Sequence, residues 1–341
     1  MADGVLIWGA GAIGGTLGAY WSRAGIDVTM VDIVAEHAAI CSGGGLAIEG
    51  PVEAFTQVVR TVTPDQLTGR FDRVVLAVKA HHTAGALDLL LPHLSETGFV
   101  LSAQNGLNEL LIAEKAGPKR TMGAFVNFGA DWLEPGRILF GNRAAVVVGE
   151  IDGSVRPCTR DMHELLKIFE PDAVLTDNIW GYLWGKMGYG AMLFATALTH
   201  ESMSENFADP ERRPALAGLA REVVSIAIAE GVDPLGFNGY EPDAFAPGAD
   251  DGLAEASLDA LAEFNSKTAK THSGIYRDLA VRHRATEVDA QIGVIVEIAR
   301  KKSIATPLLA KLVELIHDVE TGARPISGET YAELSQICPR I

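Results

Sequence analysis

Val5-Leu-Ile-Trp-Gly9-Ala10-Gly11-Ala12-Ile13-Gly14-Gly15 is the stretch that decides the fold. Four apolar residues run straight into glycines spaced G-x-G-x-x-G, and a helix pattern with an apolar face of Ile13, Leu17 and Tyr20 follows. A strand, a tight turn and a helix in that order form the part of a Rossmann domain that binds a dinucleotide. Gly9 permits the turn, Gly11 lets backbone N–H groups approach a pyrophosphate with no Cβ in the way, and Gly14 lets the helix lie close to the sheet. The helix N-terminus adds partial positive charge. Glycine is abundant, at 36 of 341 residues, so the context of the triplet carries the reading. After a turn at Ala24-Gly25, the run Ile26-Asp-Val-Thr-Met-Val31 ends in Asp32. That is about 20 residues beyond Gly11, the spacing of the acid that binds the adenosine ribose. Gly9, Ala10, Gly11, Ala12, Ile13, Gly14 and Asp32 are therefore the cofactor-binding candidates.

Asp32 also selects between cofactors. Its carboxylate accepts hydrogen bonds from the ribose hydroxyls of NAD, whereas the 2′-phosphate of NADP meets like charge there. The following Ile33-Val-Ala-Glu36-His37 offers no Lys or Arg to neutralise a phosphate. NAD is thus favoured over NADP, with a partly cationic His37 as the counter-argument and a helix N-cap as the alternative role for Asp32.

A chain of this length accommodates two domains. Hydrophobic content of 48% and charged content of 21% are those of a globular protein. A formal net charge of −16 argues against nucleic acid as the main partner, because phosphate backbones require a basic surface. The start, Met1-Ala-Asp-Gly, lacks the features of a signal peptide, and residues 187–199 are too few and too glycine-rich to span a bilayer. The expectation is a cytoplasmic protein without a membrane partner. Cys41, Cys158 and Cys338 show neither metal-ligand spacing nor an even count, which suggests neither a metal site nor a disulfide framework.

Continuous apolar runs at Arg73-Val-Val-Leu-Ala-Val78 and Phe99-Val-Leu-Ser-Ala103 read as strands buried on both faces of a parallel sheet. A helix pattern over 84–91, ended by Pro92, lies between them. Further strands are expected at 123–128 and 144–148, with a turn at Pro135-Gly136 between them. From Asn178 onward helix periods dominate, over 179–199, 212–230, 253–270, 284–301 and 307–319. The fold class is α/β plus all-α. A doubly wound Rossmann sheet over residues 1–177 precedes an all-helical substrate and dimerisation domain over 178–341, with a substrate cleft expected between them. Homodimerisation through the helical half is compatible with this layout.

Lys79 and Asn105 follow the carboxyl ends of two buried strands, where an open α/β sheet binds ligands. The bland alternatives are a surface lysine for Lys79 and, for Asn105-Gly106, a turn chosen for its backbone angles. Lys186 sits among apolar and aromatic residues in Trp180-Gly-Tyr-Leu-Trp184-Gly-Lys186-Met-Gly-Tyr-Gly. A partly desolvated lysine there could protonate the oxygen of a carbonyl as hydride reaches its carbon; an exposed helix lysine is the alternative. In Arg282-His283-Arg284-Ala-Thr286-Glu287-Val-Asp289, Thr286 or an earlier residue caps the next helix and the acids suit its positive end. That leaves the three preceding basic residues without a role.

With these pieces placed, the chain resembles the ketopantoate reductase family over almost its full length. The likeness rests on GAGAIG at 9–14, AVKAHHT at 77–83, QNGL at 104–107, EPGRI at 134–138, WGKM at 184–187 and ATEVD at 285–289. The resemblance implies a Rossmann domain joined to a helical domain and reduction of a 2-oxo acid. It implies Lys186 as general acid, Glu287 as a helix-borne glutamate holding a substrate hydroxyl or the lysine, Asn105 at the nicotinamide and substrate, and Lys79 at the cofactor. It also places Ser273 at the substrate. The departures are specific. Gly190 and Phe194 stand where the family usually has asparagines, Ser273-Gly274 replaces a Ser-Ser pair, and one extra residue separates Asp278 from Glu287. Asp32 stands where NADPH-using members carry a basic residue nearby. The reaction expected is hydride transfer between NAD(H) and a small 2-oxo or 2-hydroxy acid or related carbonyl compound. Two alternatives stay open: an opine-type dehydrogenase that reduces an imine, and a non-catalytic NAD-binding sensor.

Overall fold

The structure is a computed structural model, described here over residues 4–268 and 270–337; Cys338 lies outside them. The chain divides into two compact units, Met1–Ile179 and Trp180–Ile341.

The first unit is built on β1 (Val5–Trp8), whose four residues are all buried. Val5 and Ile7 face one apolar core, and Leu6 and Trp8 face another on the opposite side of the sheet. Burial on both faces explains the unbroken apolar run, since a polar residue on either face would lose its water without a partner. Helix α1 (Ala12–Arg23) leads to β2 (Val28–Val31), and α2 (Ala35–Gly43) follows. Next come β3 (Leu46–Glu49), β4 (Phe55–Gln57), β5 (Arg60–Val62), β6 (Phe71–Leu76), α3 (Thr83–Leu90), β7 (Leu94–Ser102) and α4 (Asn108–Ala116). The unit continues with β8 (Thr121–Val126), β9 (Gly129–Glu134), β10 (Arg137–Asn142), β11 (Val146–Glu150), α5 (Pro157–Phe169) and β12 (Val174–Leu175).

Eight strands form the main sheet in the order β12-β11-β8-β7-β6-β1-β2-β5. All neighbours are parallel except β8 and β11. Strand order therefore reverses at β1, which pairs with β2 on one side and β6 on the other. This is a topological switch point, where open α/β sheets take ligands.

The expected turn at Pro135-Gly136 joins β9 to β10, but these strands belong to a second sheet, β4-β3-β10-β9, absent from the sequence reading. It packs on the other side of α1: a Cβ at Gly15 would meet Ile138 Cδ1 at 2.5 Å. Tyr20, Phe128, Phe140 and Phe169 fill the space beside it with edge and tilted ring contacts.

The second unit comprises α6 (Ile179–Thr196), α7 (Met203–Ala208), α8 (Arg213–Ala229), α9 (Asp251–Ser266), α10 (Gly274–Tyr276), α11 (Val294–Lys301), α12 (Pro307–Thr321) and α13 (Gly328–Ile337). The helix expected over 284–301 is shorter. Residues 282–287 are non-helical, and this loop is bracketed by π-helical turns at Arg277–Val281 and Asp289–Gly293. Arg282 and Arg284 both bond Asp278 Oδ1, at 3.2 and 2.9 Å, and fold the loop back. His283 lies in the left-handed region at φ 47°. Among the described residues no helix is long and apolar enough to cross a membrane.

Candidate active site

Parallel register brings the first-unit candidates to one edge of the sheet. Trp8 is level with Val31 and Leu76, and Leu76 with Ser102, so Gly9, Asp32, the segment to Lys79 and the segment to Asn105 all leave from the same carboxyl edge. Backbone bonds prolong this alignment by one residue: Gly9 N–H to Val31 O at 2.8 Å, Ala77 N–H to Trp8 O at 2.8 Å and Ala103 N–H to Leu76 O at 2.9 Å.

The three glycines of the turn differ in what they face. Gly9 has φ +102°, and a Cβ there would meet Val78 N at 2.8 Å. A Cβ at Gly14 would meet Gly9 O at 2.0 Å, whereas one at Gly11 has nothing within 4 Å. Gly9 and Gly14 are thus required by packing inside the protein, and Gly11 is the glycine that leaves the backbone open outward. Gly11 is the N-cap of α1 with no side-chain cap, no acid lies in the first turn, and residues 11–13 are partly exposed. First-turn N–H groups without a side-chain acceptor, at the positive end of a helix, fit a dinucleotide pyrophosphate.

Asp32 is fixed by two backbone donors: Oδ2 accepts from Ala10 N–H at 3.0 Å and Oδ1 from Val34 N–H at 2.9 Å. The N-cap of α2 is Val34, so Asp32 is an Asx-turn acceptor two residues earlier. Ile33 and Val34 are exposed beside it. His37 is 1% exposed and belongs to the interior. Its Nε2 is 2.8 Å from Ala10 O, and its Nδ1 accepts Gly136 N–H at 2.9 Å. An imidazole accepting at Nδ1 carries its single proton on Nε2, so in this arrangement His37 is neutral and the cationic role considered for it is corrected.

Lys79 is half-buried and Asn105 exposed. A side-chain network joins their two loops. Gln104 Nε2 donates to Val78 O and to Thr83 Oγ1, both at 2.8 Å; Thr83 Oγ1 donates to Asn108 Oδ1 at 2.9 Å; Asn108 Nδ2 donates to Asn105 O at 2.7 Å. Gly106 has φ +100°, so the turn geometry and a ligand role for Asn105 coexist. Gln104, Thr83 and Asn108 were missed as positioning residues, although Gln104 and Thr83 lie in the motifs quoted above. The signal was a buried polar residue in each strand-end loop.

In the second unit, α6 is buried along most of its surface, and Tyr182, Lys186, Gly190 and Leu193 form a partly exposed stripe at helical spacing. Its glycines have distinct causes. A Cβ at Gly185 would meet Leu235 O at 2.0 Å, and one at Gly188 would meet Tyr240 OH at 1.9 Å. At Gly190, one turn from Lys186, the nearest atom would be Met187 Cε at 4.0 Å. Phe194 is 1% exposed and belongs to the core.

Glu287 is half-buried at the start of the helix, where its carbonyl accepts Gln291 N–H at 2.9 Å. Thr286 fixes the approach: its N–H and its hydroxyl both donate to Glu320 Oε1 at 2.7 Å, and Oγ1 accepts Val288 N–H at 3.2 Å, which is the capping role expected of it. Arg282 and Arg284 find their role with Asp278. Ser273 is buried, and its Oγ caps α10 by accepting Tyr276 N–H at 3.1 Å.

A switch-point sheet with a glycine turn, followed by a helical unit, defines a Rossmann-type fold. The model for "Ketopantoate reductase PanE/ApbA" matches residues 5–153, and that for "Ketopantoate reductase PanE/ApbA C terminal" matches residues 178–320. The chain belongs to the ketopantoate reductase family of NAD(P)-dependent oxidoreductases. The 2-dehydropantoate 2-reductase of Archaeoglobus fulgidus is 28% identical over 320 residues, covering 93% of this chain and 98% of its own. Two solved structures share the fold. D-mandelate dehydrogenase with NADH and anilino(oxo)acetate has a TM-score of 0.80 at 21% identity, with 93% and 98% of the two chains covered. A PanE/ApbA family ketopantoate reductase from Ralstonia eutropha has 0.77 at 22%, with the same coverage.

Proposed function

We propose that the protein transfers a hydride between NAD(H), in preference to NADP(H), and a 2-oxo or 2-hydroxy acid. The observation that carries this reading is the open Gly11 turn beside a fixed Asp32 carboxylate, with no basic side chain among residues 33–36 and a buried, neutral His37. N–H groups of Gly11 to Gly14 hold the pyrophosphate, and Asp32 accepts from the ribose hydroxyls on its remaining lone pairs. Lys79 and Asn105 serve the nicotinamide half. When bound, the cofactor supplies the hydride in reduction and takes it in oxidation.

The second unit supplies the proton chemistry. Lys186 stabilises the negative charge that grows on the substrate oxygen and donates a proton from Nζ; in oxidation the neutral amine takes the hydroxyl proton. Glu287 accepts a hydrogen bond from a substrate hydroxyl or from the lysine, and Ser273 lies close in sequence to the loop that bears it. Gly190 supports a bulkier, less polar substrate side chain than an asparagine there would admit. Mid-helix glycine costs about 1 kcal/mol against alanine, and at this position no internal contact demands it. The D-mandelate dehydrogenase likeness agrees with an apolar substituent of that kind.

The test is oxidation of NADH and NADPH against a panel of 2-oxo acids, including aryl and branched ones, with wild type and Lys186→Ala. We expect NADH turnover that falls by more than about 100-fold in the variant. Absence of turnover with every carbonyl and both cofactors would end the proposal, and near-normal turnover of Lys186→Ala would remove the lysine from its role. An obligatory amine co-substrate would point to imine reduction instead.

A further inference from the structure

Ala10 lies between the two glycines of the turn, and both of its backbone groups are held from the segment after β2. Its N–H donates to Asp32 Oδ2 at 3.0 Å, and its carbonyl accepts from His37 Nε2 at 2.8 Å. Gly9 and Gly11 on either side offer little steric resistance to rotation of the intervening peptide planes. Side-chain bonds must therefore set those planes. Among the described residues no peptide bond is cis, so the Ala10–Gly11 peptide is trans and its C=O and N–H point in opposite directions. Drawing Ala10 O inward onto His37 aims Gly11 N–H outward, on the side where a Cβ of Gly11 would meet nothing within 4 Å.

His37 is itself set from a distant part of the unit. Gly136, at the turn between β9 and β10, has φ +79° and donates its N–H to Nδ1 at 2.9 Å. A backbone donor at Nδ1 excludes a proton there and requires it on Nε2, the nitrogen that faces Ala10 O. Ile40, from α2, seats the same turn: a Cβ on Gly136 would meet Ile40 Cγ2 at 2.3 Å. The second sheet is thereby connected to the cofactor turn through one imidazole ring.

We propose that His37 is a positioning residue for the dinucleotide. Held as the Nε2–H tautomer by the Glu134-Pro135-Gly136 turn, it orients the Ala10–Gly11 peptide so that Gly11 N–H meets the pyrophosphate. This rests on the dinucleotide reading of the turn.

Two isosteric variants separate this role from plain packing. Glutamine keeps an N–H donor near the place of Nε2, and asparagine keeps an acceptor near Nδ1 but loses the donor to Ala10. NADH binding is measured directly by fluorescence titration, and kcat and KM for NADH at saturating 2-oxo acid. His37→Asn should weaken NADH binding by about tenfold, the scale of leaving a buried carbonyl unpaired. His37→Gln should stay within about threefold of wild type, and kcat should stay within about threefold in both. Equal affinities in the two variants, or a weaker glutamine variant, would overturn the proposal. On the wild type, which needs no refolded variant, 15N NMR of the ring should show Nε2 protonated and Nδ1 bare at neutral pH; the opposite tautomer or a doubly protonated ring would also overturn it. A wild-type protein that binds no NADH would instead overturn the dinucleotide reading itself.

Discussion

At the scale of single residues, Asp32 does two things at once. Its carboxylate fixes the glycine turn through Ala10 N–H and α2 through Val34 N–H, and in the proposed function its charge opposes a 2′-phosphate. Two unit charges about 4 Å apart near a surface interact by about 4 kcal/mol, enough to decide cofactor choice. Asn at this position keeps an acceptor for one of the two donors and removes the charge, and Arg in place of exposed Ile33 supplies a phosphate partner. The double variant Asp32→Asn, Ile33→Arg should shift the NADPH-to-NADH ratio of kcat/KM by about 100-fold toward NADPH. Steady-state kinetics with both cofactors checks this, and an unchanged ratio would mean that the carboxylate does not face the ribose. The place of Asp32 beside the glycine turn was legible from its spacing. His37, five residues further on, was not, because the Gly136 N–H that fixes its state lies 99 residues away in sequence.

At the scale of elements, runs whose burial matches a local period were readable, and those held by distant partners were not. β1 and the second halves of β6 (Val74 to Leu76) and β7 (Phe99 to Leu101) are apolar on both faces and show as unbroken runs. β3, β4, β9 and β10 are partly exposed, and β3 pairs in parallel with β10, a partner no local pattern announces. The apolar period of 284–301 likewise runs past the point where Asp278 and Glu320 pull the chain out of helix. A related distant contact starts α12. Its N-cap, Thr306, makes no side-chain cap, and Glu222 of α8 accepts Leu308 N–H and Leu309 N–H instead, each at 2.9 Å. Glu222→Ala should lower stability by about 1–2 kcal/mol, measured as a shift in urea midpoint. Burial raises the Glu222 carboxyl above its ordinary value, and the two N–H donors oppose this only in part. The folded chain therefore holds this proton to higher pH than the unfolded one. Its contribution is complete below the unfolded value of about 4.3 and is lost as pH rises through the folded one. Wild-type stability should accordingly decline relative to Glu222→Gln across that window, and parallel pH profiles would contradict it.

At the scale of the whole molecule, the proposed function gives the two compact units different duties, and a ligand bound to one need not stiffen the other. NADH at about 100 times its Kd stabilises what it binds by about 2.7 kcal/mol. Amide exchange should slow by up to about 100-fold in residues 9–15, 32–37 and 77–83, while α8, α9 and α12 keep their rates. Equal slowing in both units would contradict this division. The strand order has a further consequence, for synthesis. β1 leaves the ribosome well before β6, yet it lies between β2 and β6 in the finished sheet. At about 5–20 residues per second, an apolar strand edge stays without its second neighbour for several seconds. Until β6 is made that edge of the nascent first unit stays open, and a pause in translation before residue 71 would lengthen its exposure to aggregation.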